Sequence, residues 1–184
     1  MASPIIETAR LLLRPYTQDD LEALHRLWTD PDVRRYLWDN VIISKERAAS
    51  FLQDSIACFE RHGFGQWAVY DKGKDALIGF CGFRFLDDTP EIELLYGMAP
   101  AYWGQGLTTE AARAVLRYGF DVLAFTRVIA DADPPNVASF RIMEKLGMRY
   151  ESRKRRHNVE VIAYAIARED FQPGTAYYRV YHKP

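Results

Sequence analysis

The 184-residue chain has little that would tie it to a membrane, a metal or an oxidising compartment. Its longest apolar run, residues 77–83, is far shorter than the ~20 residues a helix needs to cross hydrocarbon. The opening Met1-Ala-Ser-Pro-Ile-Ile-Glu-Thr-Ala-Arg10 lacks both the charged start and the apolar stretch of a secretion signal. Only two cysteines occur, Cys58 and Cys81, far apart and with no metal or redox spacing. A reduced, cytoplasmic setting is therefore expected, with both thiols incidental or buried. His25, His62, His157 and His182 are scattered without ligand spacing, so no metal is expected. Lys and Arg number 24 against 25 Asp and Glu, a net charge of -1. A global basic bias toward nucleic acid is absent. No repeat, linker or low-complexity stretch interrupts the chain, and its length suits one domain, 1–184, with a core of useful size.

What is present is a mixed α/β pattern. Residues 10–16 read as a strand. Thr17 with Asp19 and Asp20 opens a helix carrying Leu21, Leu24, Leu27 and Trp28 on one face. Asp30-Pro31 restarts the chain into a short helical turn, and Ser44 caps a helix that Gly63 stops. Residues 65–70, 76–86 and 91–98 read as three strands joined by turn-rich Asp71-Lys-Gly-Lys74 and Asp87-Asp-Thr-Pro90, hence antiparallel hairpins. A helix over 105–123, a strand over 126–131, a helix from Pro134-Pro-Asn136 to Gly147 and a final strand pair over 148–157 and 159–167 follow. The tail, 172–184, reads as irregular, with Tyr177, Val180 and Tyr181 free to pack on the body.

The segment richest in chemistry is Ala101-Tyr-Trp-Gly-Gln-Gly-Leu-Thr-Thr-Glu-Ala111. Two glycines allow tight backbone turns and put no side chain over the amides. The first N–H groups of the following helix lack intrahelical partners and sit at its positive end, which makes a phosphate cradle. A Walker loop is excluded, since Gly104 lacks the partners of Gly-x-x-x-x-Gly-Lys-Ser/Thr. A dinucleotide fingerprint fits poorly, because Thr109 takes the place of its third small residue and the loop falls mid-chain after antiparallel-looking strands.

With Thr8-Ala-Arg-Leu-Leu-Leu-Arg-Pro15, Asp30-Pro-Asp-Val-Arg-Arg-Tyr36, Glu93-Leu-Leu-Tyr96, Tyr102-Trp-Gly-Gln-Gly106, Asn136-Val-Ala-Ser139 and Glu144-Lys-Leu-Gly147 in that order, nearly the whole chain resembles the GNAT superfamily of acetyl-CoA-dependent N-acetyltransferases. The likeness is to the branch of the ribosomal-protein acetyltransferases RimJ and RimL. It implies a central mixed, mostly antiparallel sheet flanked by helices, acetyl-CoA as cosubstrate, a primary-amine acceptor and a homodimer. The family's pyrophosphate pattern, Arg/Gln-x-x-Gly-x-Gly/Ala, falls on Trp103-Gly-Gln-Gly106-Leu-Thr108. It departs at Trp103 and at Thr108, whose hydroxyl can donate to a phosphate. The resemblance assigns the cofactor to the amides of Trp103, Gly104, Gln105, Gly106, Leu107, Thr108 and Thr109. It also assigns the strand edge at Tyr96, Gly97 and Met98, where a bulge or splay is expected, and Asn136 and Ser139.

Acetyl transfer needs a base, an oxyanion donor and a departing thiolate. Neutralising a lysine-like amine at pH 7 costs about 4–5 kcal/mol, an α-amine only about 1–1.5. Glu93, alone among apolar neighbours on its strand, is the candidate base. The Met98 amide is the oxyanion donor that the resemblance implies. Many superfamily members protonate the thiolate with a helix tyrosine; here that position is Met143, and the resemblance to this branch implies Ser139 instead, as a hydrogen-bond donor to sulfur. Trp28, Tyr36, Leu37 and Trp38 lie in the insertion that walls the acceptor cleft of the resembling fold, although each also reads as core; Trp67 and Tyr118 read as structural. The basic run Arg153-Lys-Arg-Arg-His157 reads as a solvated strand end. A non-catalytic acyl-CoA-binding sensor is the rival reading.

Overall fold

The computed structural model describes residues 4–87, 89–156 and 159–182. Nine strands form one sheet in the order β7-β8-β6-β5-β4-β3-β2-β1-β9. They are β1 (Pro4–Thr8), β2 (Leu11–Pro15), β3 (Gln66–Asp71), β4 (Ala76–Phe85), β5 (Ile92–Met98), β6 (Arg127–Ala132), β7 (Arg149–Arg156), β8 (Val159–Ala167) and β9 (Tyr178–His182). All neighbours pair antiparallel except β5 and β6. The expected mixed, mostly antiparallel sheet with flanking helices is what the structure has.

The sequence signals place the helices well. A single turn over Gln18–Asp20, opened at Thr17, whose amide donates to the Asp20 carboxylate at 2.8 Å, leads into α1 (Leu21–Thr29), whose Leu24, Leu27 and Trp28 are buried. The Asp30 carboxylate accepts from the amides of Asp32 and Val33 at the start of the short α2 (Pro31–Arg34). The Ser44 hydroxyl accepts from the Arg47 amide to open α3 (Lys45–His62), and left-handed Gly63 closes it. The helix α4 (Leu107–Asp121) crosses from β5 to β6, and α5 (Val137–Lys145) leads from β6 to β7. Leu107, Val115 and Leu116 of α4 and Met143 of α5 pack over one face of the sheet on Ile78, Phe83, Leu94 and Val128. Leu24, Trp28, Ala48 and Leu52 of α1 and α3 cover Ala68 and Phe80 on the other face. Trp67, fully buried, and Tyr118 belong to the first of these cores, as their sequence setting implied.

The two ends of the chain depart from expectation. β1 precedes the first strand the pattern shows, and the tail is irregular only as far as residue 177, after which β9 pairs along β1 from Pro4 opposite His182 to Thr8 opposite Tyr178. Val180 and Tyr178 pack against the core from that edge. Lone strands of five residues carry too short a period to stand out, and their partner lies at the far end of the chain. Met1, Ala2, Ser3, Asp88, His157 and the last two residues of the tail, Lys183 and Pro184, lie outside the described residues.

Between β5 and β6 the pairing is confined to Glu93 opposite Ile129. On its other side β5 follows β4 without a break from Ile92 opposite Phe85 to Met98 opposite Gly79. The irregularity expected near Met98 is therefore a splay from β6, and no bulge against β4. β5 and β6 are the parallel pair, and α4 and α5 begin just beyond their C-terminal ends. That is where an open α/β crevice collects ligands.

β3 and β4 approach so closely that a Cβ on Gly82 would stand 2.2 Å from the Gly65 carbonyl oxygen and 2.6 Å from the Gln66 Cα. Gly82→Ala is expected to cost about 2–3 kcal/mol by forcing backbone apart, read as a lower midpoint in urea unfolding.

Candidate active site

The antiparallel ladder fixes which backbone groups face the split. The Ala99 amide donates to the Ile78 carbonyl at 2.8 Å. With unbroken register, the bonded positions on β5 are then Ala99, Gly97, Leu95 and Glu93, because bonded and non-bonded pairs alternate. The amides of Leu94, Tyr96 and Met98 point away from β4. The Glu93–Ile129 pairing takes the Leu94 amide, and beyond it no paired residue of β6 takes those of Tyr96 and Met98. The Met98 carbonyl is occupied by the Trp103 indole Nε1 at 2.7 Å, so its N–H is the group presented to the gap.

At the end of β5, a turn over Pro100–Tyr102 leads into the glycine loop. Gly104 and Gly106 both take φ of 74°, a conformation that favours glycine. The Trp103 amide is not available, since it donates to the Pro100 carbonyl at 3.1 Å; this corrects the expectation that it binds phosphate. The amides from Gly104 through Gln105, Gly106, Leu107 and Thr108 to Thr109 have no acceptor among the described residues. Leu107 is buried and anchors the helix start. A groove of about 330 Å³ beside the loop is lined by Trp103, Gly104 and Thr108, with Tyr96, Gly97 and Met98 of β5 and Asn136 and Ser139 of α5. Thr109 lines a different groove, with Glu110 and Arg113. Six N–H groups in succession without partners among the described residues, over backbone that carries no side chain at Gly104 or Gly106, fit a diphosphate.

A clasp missed in the sequence holds this loop. Glu110, in the first turn of α4, accepts from the Thr8 hydroxyl at 2.7 Å, the Arg10 amide at 3.0 Å and Arg10 Nε at 2.7 Å. Arg10 Nη1 in turn donates to the Gln105 carbonyl at 2.9 Å. Burial alone would raise the Glu110 carboxyl, but these hydrogen bonds and the guanidinium charge hold it below its ordinary value. Arg10 and Glu110 are a hundred residues apart, which hides the pair from any local reading.

On the other side of the split lies a cavity of about 590 Å³. Glu93 lines it. Its carboxylate is only 3% exposed and accepts from Arg84 Nε at 2.5 Å, Arg84 being directly opposite on β4. The group is enclosed in the sheet and not a solvated edge carboxylate. Burial pushes the Glu93 carboxyl up, more than the Arg84 and Arg156 charges pull it down, and the neighbouring Asp131 charge adds to the rise. Asp131, on β6, is 5% exposed, with Arg156 Nη2 of β7 at 2.7 Å; burial raises it as well. Arg156 also meets Asp87, and Arg153 pairs with Glu160. Two members of the basic run, Arg153 and Arg156, are thus tied into ion pairs, the second in the cavity wall, and His157 lies outside the described residues.

The outer wall is the insertion. Trp28, Tyr36, Leu37, Trp38, Asp39 and Phe51 line the cavity. Trp28 also packs edge-on against Trp38, Phe51 and Phe80, so it serves core and cavity together. Trp38, Asp39 and Asn40 take φ of 56°, 51° and 59°. Three left-handed residues in succession cost about 1–2 kcal/mol each. Arg34 holds the turn by donating to the Asn40 carbonyl and side chain at 2.6 and 2.7 Å.

Cavity and groove share Tyr96, Asn136 and Ser139. The Asn136 carboxamide oxygen accepts from the Ser139 amide at 3.2 Å, so its capping role is realised. Ser139 Oγ lies 2.9 Å from the Tyr96 hydroxyl. Met143 is buried. Burial raises both thiols, Cys58 and Cys81, so neither is an activated nucleophile. Among the described residues there is no group of three potential metal ligands, and no helix long and apolar enough to cross a membrane.

Residues 10–149 match the family described as "Acetyltransferase (GNAT) domain". The uncharacterized N-acetyltransferase YoaA of Bacillus subtilis (strain 168) is 32% identical over 149 residues, covering 80% of this chain and 84% of that protein. The spermidine N(1)-acetyltransferase of Escherichia coli (strain K12) is 28% identical over 144 residues, covering 76% and 73%. The crystal structure of a GNAT-family acetyltransferase from Bacillus anthracis aligns with a TM-score of 0.76 at 30% identity, over 90% of this chain and 99% of that one.

Glu110→Gln is expected to lower stability near neutral pH by about 1–2 kcal/mol through loss of charge-assisted hydrogen bonds. Because the folded carboxyl sits below its ordinary value of 4.5, the advantage of the native residue is complete above that value and disappears as pH falls through the folded pKa. Thermal unfolding of both proteins across the acid range checks this.

Proposed function

Because the chain belongs to the GNAT acetyltransferase family and is on that ground an N-acetyltransferase, we propose that it transfers acetyl from acetyl-CoA to a primary amine by direct attack in a ternary complex. The observation that carries this reading is the shared wall: the cavity holding Glu93 and the groove under the free amides meet at Tyr96, Asn136 and Ser139. An amine entering one and a thioester entering the other come together at the split.

Acetyl-CoA supplies the activated acyl group. In this reading the amides of Gly104 to Thr109 hold its diphosphate, with Thr108 adding a hydroxyl, while the open edge of β5 at Tyr96, Gly97 and Met98 takes the pantetheine arm. Asn136, its oxygen spent on the cap, offers its amide nitrogen to that arm. Glu93 takes the proton of the attacking amine. Its raised carboxyl is a stronger base than an ordinary glutamate, and Arg84 keeps it aimed. The Met98 N–H faces the gap and donates to the carbonyl oxygen as negative charge gathers there. When the carbon–sulfur bond breaks, the electron pair leaves on sulfur and Ser139 Oγ donates a hydrogen bond to it. A thiol pKa of ~8.5 makes sulfur a fair leaving group without a strong acid.

The acceptor is a small amine or a protein N-terminus. The name of the E. coli relative supports the first; the likeness of the opening and loop motifs to RimJ and RimL supports the second. The two differ in how much they need Glu93, since the alkyl amine is the harder to neutralise.

Incubation with acetyl-CoA and a panel of polyamines, simple amines and N-terminal peptides should release free CoA thiol with at least one acceptor; silence across the panel counts against catalysis. With an accepted substrate, Glu93→Gln is expected to lower kcat/KM about 100-fold or more and to remove the acid limb set by the native carboxyl, leaving that of the amine itself. An unaltered profile removes Glu93 as base.

A side chain at Gly106 would enter open space, the nearest atom being Arg10 Nη2 at 3.8 Å from its Cβ. Gly106→Glu should therefore keep the fold at a cost of about 1–3 kcal/mol for the left-handed backbone, while a carboxylate over the amides abolishes CoA binding in calorimetric titration. Native-like affinity would place the diphosphate elsewhere.

A further inference from the structure

Ser139 Oγ is held on one side by the Tyr96 hydroxyl at 2.9 Å, which also reaches the Ser139 carbonyl at 3.3 Å. Tyr96 comes from β5 and Ser139 from the first turn of α5, so this pair spans the split where groove and cavity meet. A hydroxyl has one proton to donate and can accept twice. If the Ser139 proton is turned to sulfur, the 2.9 Å contact is satisfied only with Tyr96 as donor.

Resting on the transfer reading above, we propose that Tyr96 is a positioning residue: its hydroxyl donates to Ser139 Oγ, orienting and polarising the Ser139 O–H toward the departing sulfur. The hydroxyl that helices supply in the resembling superfamily is replaced here by one from the strand, acting at second hand. Burial raises Tyr96 well above the ordinary phenol, outweighing the opposing Ser139 hydrogen bond, so it stays protonated and keeps a proton to donate. No proton leaves Tyr96 or Ser139. The carbon–sulfur electron pair goes to sulfur, and the proton lost by the amine goes to Glu93. The other titratable and charged groups around the split are Cys81 and Arg84 on β4, Glu93 on β5, Asp131 on β6, Asp133 beyond it, Arg156 on β7, Asp32, Arg35, Tyr36 and Asp39 of the insertion, and Arg47 of α3. None is altered between the proteins compared below, so differences among them report the two hydroxyls.

The test is the thiol pKa of CoA bound to the enzyme, from the pH dependence of its alkylation by iodoacetamide, in the native protein, Tyr96→Phe, Ser139→Ala and the double variant. In the native protein the bound thiol should titrate below free CoA. Ser139→Ala should return it toward the free value, Tyr96→Phe partway, and the double variant should match Ser139→Ala, because Tyr96 acts through the serine. Tyr96→Phe should also lower kcat about 3- to 10-fold, the worth of one hydrogen bond, with the KM for acetyl-CoA nearly unchanged. A Tyr96→Phe thiol pKa equal to native overturns the inference, and so does a double variant whose shift is the sum of the two, which would put Tyr96 on sulfur directly. A native protein that binds no CoA brings down the transfer reading itself, a result distinct from either of these.

Discussion

β5 is bound along its whole length on one side and at a single position on the other, and the site is the consequence of that inequality. A strand so held is rigid, yet it turns the amides of Tyr96 and Met98 to a gap that no neighbouring strand fills. Backbone polar groups in such a place must find a partner. The gap is kept open by the helices that start on either side of it, α4 after β5 and α5 after β6, and each brings a helix N-terminus to its rim. Anion binding, strand-edge binding and the serine–tyrosine contact are three uses of one parting between two parallel strands.

The electrostatics of the cavity follow from burial more than from net charge. Glu93 and Asp131 are almost wholly removed from water, and each has one arginine, from a different strand. The arginines do not restore the ordinary carboxylate pKa in either case. Desolvation wins because each guanidinium is shared with water or with another acid, whereas the carboxylates are enclosed. A protein with nearly equal numbers of acids and bases thus carries an unevenly poised interior, and Glu93 owes its basicity to that.

Much of this was legible along the chain, and the parts that were not share a cause. α3 was announced by Ser44 and Gly63, the meander by its two turns, and the loop by Gly104 and Gly106, since each signal lies within a few residues of what it determines. Glu93 stood out as a charge in an apolar strand, but its burial did not, because that depends on α1 and α3 covering the sheet. The Thr8–Arg10–Glu110 clasp and the Asp131–Arg156 pair were invisible, because each joins segments brought together only by the finished sheet. The amide of Trp103 was miscounted for a local reason: the preceding turn over Pro100–Tyr102 consumes it, and nothing in the glycine pattern shows that.

The pairing of β1 with β9 joins Pro4 to His182. Chains are synthesised and begin to fold from the N-terminal side. The outer edge of β1 therefore waits, unpaired, until β9 has been made, and an open edge is a template for unwanted strand addition. Closing a loop of that span is among the slowest steps a sheet can require. An edge made early is thus covered by a strand at least 170 residues away along the chain, and the outermost position passes from β1 to the five-residue β9.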